Sequence, residues 1–186
     1  MDENDKPENI EEILNATFPG LLMLYRDANL ASLGDLYSVG LIIRERGFTD
    51  ASKRGGNLVT THRFAILSNH YLDAASFEHG THWGLCVLER GAYYKVLDVY
   101  HQQEKTLITL LHLPSEHWQF FKNLSTNLDD QVAETARKRF DEHLSSAPIA
   151  ELTQDDWLQR CRFPLGMNDN GVLFPLMEDD LEQTDQ

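Results

Sequence analysis

Residues 78–86 read EHGTHWGLC, which places Glu78, His79, His82 and Cys86 within nine positions. Two chemistries fit those residue types. A zinc ion needs three or four nitrogen, sulfur or oxygen ligands at about 2.0–2.3 Å. His79 and His82 are the candidate ligands, with Glu78 beside them and His70, Asp73 and His101 as further donors. A thiolate nucleophile needs a base within hydrogen-bond reach. His82 and Cys86 share a face if the stretch is a strand, but the strand rise then holds them about 13 Å apart. Cys86, between Leu85 and Val87, therefore reads as a small buried hydrophobe. The histidine spacing arises easily in a chain with eight histidines, and no cysteine pair supports it, so no metal and no cofactor is expected.

A second cluster lies in RERGFTDASKRGGN, where Arg44, Arg46, Lys53 and Arg54 flank Gly55-Gly56. Glycine turns with nearby cations can cradle an anion. The spacing matches neither a P-loop nor a dinucleotide fingerprint, so this is a weak anion site in a mobile loop. Aromatic residues supply a third theme. Tyr94 and Tyr100 fall on one face of a strand, and Tyr71 and Phe77 lie in the 13-residue connection Asn69–Thr81. Long connections of that kind carry binding residues disproportionately often. With Glu78 and His79, these four make the expected partner-binding surface.

Positioning such groups requires a scaffold, and the residue pattern predicts one. THRFAILSN (61–68), HWGLCVLE (82–89), AYYKVLDVY (92–100) and KTLITLLHL (105–113) read as strands. Short links between the last three, Arg90-Gly91 among them, imply an antiparallel meander. In the last strand Leu107, Leu111 and Leu113 point one way and Ile108 and Leu110 the other, so it is covered on both faces. Helices are predicted at Leu21–Ala28, at Leu33–Arg46 with Ser32 as N-cap, at 115–124, at 128–144 with the stripe Val132, Ala136, Phe140 and Leu144, and from Thr153 to Arg160. A short helix is predicted near Asn9, and a tight turn at Asn170-Gly171. The predicted fold class is α+β: a four-stranded antiparallel meander over about 61–113, packed with N-terminal and C-terminal helices in one domain over 9–177. Disordered acidic tails are expected at 1–8 and 178–186.

The HWGLCV stretch resembles the histidine-bearing strand of permuted papain-like cysteine hydrolases over about six residues. That resemblance implies His82 as base and Cys161 as nucleophile. Cys161 departs from the pattern because it follows a predicted helix C-terminus, whose dipole disfavours a thiolate.

The 186-residue chain carries a net charge of −14. Residues 1–12 contribute −5, residues 178–186 another −5, and the remainder only −4. This balance argues against sequence-independent nucleic-acid binding, which needs a basic surface. The longest apolar run, Leu21–Leu24, is too short to span a bilayer, and the acidic start is unlike a secretory signal. Two cysteines make no disulfide framework. The functional expectation is a cytoplasmic protein-binding inhibitor or regulator of the immunity type, whose partner is a protein. The alternative is a cysteine- or metal-dependent hydrolase centred on His82.

Overall fold

A computed structural model describes residues 18–125 and 127–177. The expected helix near Asn9 and both expected tails lie outside them. The strands are β1 (Leu22–Ala28), β2 (Ile42–Arg44), β3 (Thr49–Ser52), β4 (His62–Ser68), β5 (Leu72–Asp73), β6 (Leu85–Leu88), β7 (Tyr93–Gln102) and β8 (Lys105–Leu113). They form one sheet in the order β2-β7-β8-β4-β1-β3-β6-β5. β4 and β8 run parallel, and every other named pair is antiparallel. The helices are α1 (Trp118–Lys122), α2 (Asn127–Leu144) and α3 (Asp155–Cys161).

This corrects the predicted fold class. The molecule is a large mixed sheet with few helices, not a four-stranded meander between helical layers. Leu21–Ala28, predicted helical, contains β1, seated between β4 and β3. Met23, Leu24, Tyr25 and Arg26 are all buried in succession, and burial on both faces removes the alternation that would have marked a strand. Leu33–Arg46 is also no continuous helix. A 3₁₀ segment, Ala31–Leu36, ends before Gly40, whose φ is +87°, and β2 follows. The backbone here bonds to β7 instead: Gly40 donates to the Val96 carbonyl at 2.8 Å, and Val96 donates to Leu41 at 2.9 Å. The stretch predicted to be a mobile loop contains β3, paired with β1 and β6.

The turn at Arg90-Gly91 does form, with Gly91 at φ +75°, yet it does not make a hairpin. β6 and β7 are joined by four residues but stand five places apart in the sheet. The sheet must therefore curl until its far ends approach, as right-handed twist permits. Tyr94 of β7 closes the curl by donating to Thr49 Oγ1 of β3 across the interior at 3.0 Å. The concave face packs Leu24, Phe64, Ile66, Leu88, Val96 and Ile108 into one core. The convex face buries Ala65, Leu107 and Leu111 under Val132, Ala136 and Phe140 of α2. Ion pairs fix that helix to the sheet: Lys95 with Asp129 at 3.2 Å, and Arg137 with Asp98 at 2.6 Å.

Candidate functional site

β1 carries Arg26 on the same face as Leu24 and Ala28, pointing into the curl near its edge. The side chain is 5% exposed. Its Nη1 donates to the Asp50 carbonyl at 2.9 Å and its Nη2 to the Phe163 carbonyl at 3.3 Å. Its buried Nε has no hydrogen-bond partner. Among the described residues no carboxylate stands within ion-pair distance of it. A buried cation held by two carbonyl dipoles and retaining an unused donor favours an anion brought to it.

That cation lines a cleft of about 500 Å³ between the β2–β3 connection and the segment after α3. The second wall is tied down at several points. Tyr37 donates to the Leu165 carbonyl at 2.8 Å. Glu45 joins the two walls, accepting from Gly47 N at 2.9 Å and from Gly166 N at 2.8 Å. Gly166 sits at φ +74°, and a Cβ there would stand 2.5 Å from Ile43 Cβ, so the close approach of the wall to β2 requires glycine. The expected turn at Asn170-Gly171 forms the rim, with Asn168 Oδ1 accepting from the amides of Asn170 and Val172. Phe48 (66% exposed) and Phe163 (44%) present rings at the mouth, and Arg46 covers the Phe174 ring at 4.7 Å. The cleft thus combines a buried cation, aromatic faces and a volume in the usual small-ligand range.

The residues singled out from the sequence are placed elsewhere. Glu78 is a structural carboxylate: it accepts from Thr81 Oγ1 at 2.7 Å, from Trp83 N at 2.5 Å and from Leu85 N at 2.8 Å. Burial pushes its pKa up, but these hydrogen bonds together outweigh that and hold the carboxyl below its ordinary range. His79 and His82 are exposed, and His82 has a φ of +54° with its carbonyl accepting from Arg54. Among the described residues no group of three or more His, Cys, Asp or Glu is placed to hold a metal. Phe77 is 72% exposed, whereas Tyr71 packs partly against the core. Tyr94 is fully buried and cannot meet a partner. Tyr100 packs beside Phe140 and donates to Asp141. The four cations do not converge: Lys53 pairs with Asp73, Arg54 with Glu151, Arg46 stacks on Phe174, and Arg44 lies over Tyr93.

The cysteine chemistry fails on burial. Cys161 is 0% exposed, with its sulfur 3.9 Å from the Asp50 carbonyl, and desolvation pushes the thiol up to about 12. Cys86 is likewise buried, and its thiol is pushed up to about 11. Neither forms a thiolate at neutral pH. Ser68 does contact His112 Nδ1 at 2.8 Å, but Ser68 is fully buried and its hydroxyl is engaged by the His70 backbone.

Sequence reasoning missed Arg26, Glu45, Phe48, Phe163 and Phe174. One signal for Arg26 was present: an arginine inside the apolar run LLMLYRDA, where a cation must find polar partners.

No protein-family model and no curated protein matches the chain. Solved structures show partial likeness. The type III effector XopAI from Xanthomonas axonopodis pv. citri is 11% identical at a TM-score of 0.45, covering 52% of this chain and 43% of that one. ADP-ribosyltransferase HopU1 of Pseudomonas syringae is 14% identical at 0.44, covering 50% of this chain and 45% of that one. Exoenzyme S from Pseudomonas aeruginosa, in complex with human 14-3-3 protein beta and bound to carba-NAD, is 10% identical at 0.45, covering 71% and 70%. The chain thus spans less than half the length of the first two. The expectation of an inhibitor acting by surface complementarity is corrected by the described structure, which builds a cleft around the buried Arg26; the compared chains are named as an effector, a transferase and an exoenzyme. The hydrolase alternative lacks both its thiolate and its metal ligands among the described residues. No helix among the described residues is long and apolar enough to cross a membrane.

Proposed function

We propose that the Arg26 cleft binds a ligand of the nucleotide class, with an anionic group against Arg26 and a flat ring against Phe48 or Phe163. The observation that carries this reading is Arg26 itself, a buried guanidinium with an unused Nε donor at the side of an aromatic cleft. Phosphate oxygens match guanidinium geometry. Aromatic faces take a base or a nicotinamide ring by stacking. NAD is the first probe, because the exoenzyme S structure is named with a close analogue of it.

Calorimetric titration with NAD, ADP and AMP tests the proposal. Saturable binding is expected, weakened about 30-fold by Arg26→Gln through loss of a charge-assisted contact of about 2 kcal/mol. Phe163→Ala removes an exposed ring, leaves folding intact and weakens binding several-fold. Absence of binding by all three nucleotides at millimolar concentration overturns the proposal, as does undiminished binding by both variants.

A protein partner is proposed alongside, at the exposed side chains of Leu72 and Phe77 beside the sheet edge formed by β5. Phe77→Ala is expected to leave the melting temperature unchanged while reducing recovery of the partner in a pull-down. A lowered melting temperature would make Phe77 a packing residue instead.

A further inference from the structure

A second cavity, of about 490 Å³, opens where β2 and β7 meet α1, and Arg44, Glu89, Arg90, Tyr93, Trp118 and Met177 line it. The sequence pattern groups Arg44 with Arg46, Lys53 and Arg54; in the structure its companion is Arg90. A Cβ built on Gly91 would stand 3.4 Å from Arg44 Nη2, so the Arg44 guanidinium lies against the Arg90-Gly91 turn. The same guanidinium covers the Tyr93 ring at 5.6 Å, and Tyr93 stacks on Trp118 at 5.1 Å with 9° between the ring planes. Arg90 is exposed and enters no ion pair among the described residues. Glu89, the one acid among the described residues of this lining, stands 3.7 Å from His70 Nε2. Two cations against one acid make a basic patch on a chain of net charge −14.

The backbone delivers an acidic segment to that patch. Tyr93 donates its hydroxyl proton to the Leu176 carbonyl at 2.5 Å, and Leu176 packs against the convex core, which fixes the chain immediately before Met177. Met177 itself lines the cavity. The next residues are Glu178, Asp179 and Asp180, the start of a stretch EDDLEQTDQ with five acids and no base. Three residues extend at most about 10 Å from Met177, so their carboxylates stay close to Arg44 and Arg90. A tether that short sets an effective concentration on the order of millimolar or above. At such a concentration ion pairs that are individually weak in water still form together.

We infer that Glu178–Asp180 docks in this cavity, with its carboxylates on the guanidinium groups of Arg44 and Arg90. A guanidinium donates paired N–H groups to a carboxylate in a planar fork, so arginine suits this contact better than lysine. The occupant is the chain's own acidic segment rather than an acidic protein, because the tether outcompetes a free ligand of the same charge below about millimolar concentration. The contact joins the C-terminal segment, whose earlier residues wall the Arg26 cleft, to β2, the end strand of the sheet.

The test reads the Nε–Hε signal of Arg90 and the indole N–H signal of Trp118 in the intact 186-residue chain. The variant Glu178→Gln/Asp179→Asn/Asp180→Asn, which alters none of the described residues, is expected to shift both signals. Raising sodium chloride from about 0.02 M to about 0.5 M should move the native signals toward those of the neutralised variant, because exposed ion pairs are screened. Arg90→Gln, at an exposed position, should move the amide signals of Asp179 and Asp180 to where high salt places them in the native protein. The peptide acetyl-Glu-Asp-Asp-amide is then titrated into both tail forms. It is expected to shift Arg90 in the neutralised variant, and to require at least about tenfold more peptide in the native protein, where the tethered segment competes. The inference is overturned if neutralising the segment leaves Arg90 and Trp118 in place, if the peptide shifts Arg90 equally in both forms, or if Lys122 responds in place of Arg90.

Discussion

Glu78→Ala would remove the anchor of the segment that leads into β6. The carboxylate accepts two backbone amides, Trp83 N and Leu85 N, and the Thr81 hydroxyl. Each amide-to-carboxylate bond contributes about 1.5–3 kcal/mol when shielded. Glu78 is only half-buried, so water recovers part of that loss, and a total of about 2 kcal/mol is the working estimate. For a domain of this size the melting temperature then falls by about 4–8 °C. Amide exchange at Trp83 and Leu85 should accelerate while exchange in the β4–β8 ladder is unchanged. The pH dependence has a definite sign. The folded carboxyl titrates below its ordinary value, so its stabilisation is present above the unfolded value near 4.5 and is lost as pH falls through the folded one. The wild-type and Glu78→Ala midpoints should converge in strong acid. Equal midpoints at pH 7, together with unaltered protection of the Trp83 amide, would refute the assignment of Glu78 as a structural carboxylate.

Three further outcomes follow from the same coordinates. His112 favours its neutral form in the folded state, so its contribution is full above the unfolded value of 6.5 and lost as pH falls to about 4. That contribution is at most about 3 kcal/mol, and His112→Gln should flatten denaturant midpoints measured between pH 7 and 4. Cys86 and Cys161 should react with a thiol reagent only on unfolding, and rapid labelling of the native protein at pH 7.5 would contradict their burial. Gly166→Ala forces a Cβ to within 2.5 Å of Ile43 at a positive φ. It should lower stability by about 1–3 kcal/mol and weaken nucleotide binding more than Phe163→Ala does.

Regular, strongly patterned elements were legible without coordinates. β8 could be read as covered on both faces because Leu107, Leu111 and Leu113 oppose Ile108 and Leu110, and those two sets enter separate cores. The stripe Val132, Ala136 and Phe140 of α2 repeats at helical spacing and packs on the sheet as one face. Helical spacing misled over Leu33–Arg46, where Gly40 and hydrogen bonds to β7 decide for a turn and a strand. β1 was mistaken for a helix because a strand buried on both faces loses its alternation.

The candidate site was the least legible part. Its members come from β1, the β2–β3 connection and the segment after α3, with Arg26 and Phe163 separated by 137 positions. Local pattern reports what a residue's neighbours along the chain require, so it could separate Cys86 from His82 by strand rise and bound the chemistry of EHGTHWGLC. It could not show that Glu78 spends its charge on backbone amides, or that α3, packed against β1 and β3, brings Phe163 to Arg26. Those facts depend on pairing between distant strands, and only the closed tertiary structure decides which distant groups share a dry, partly polar space.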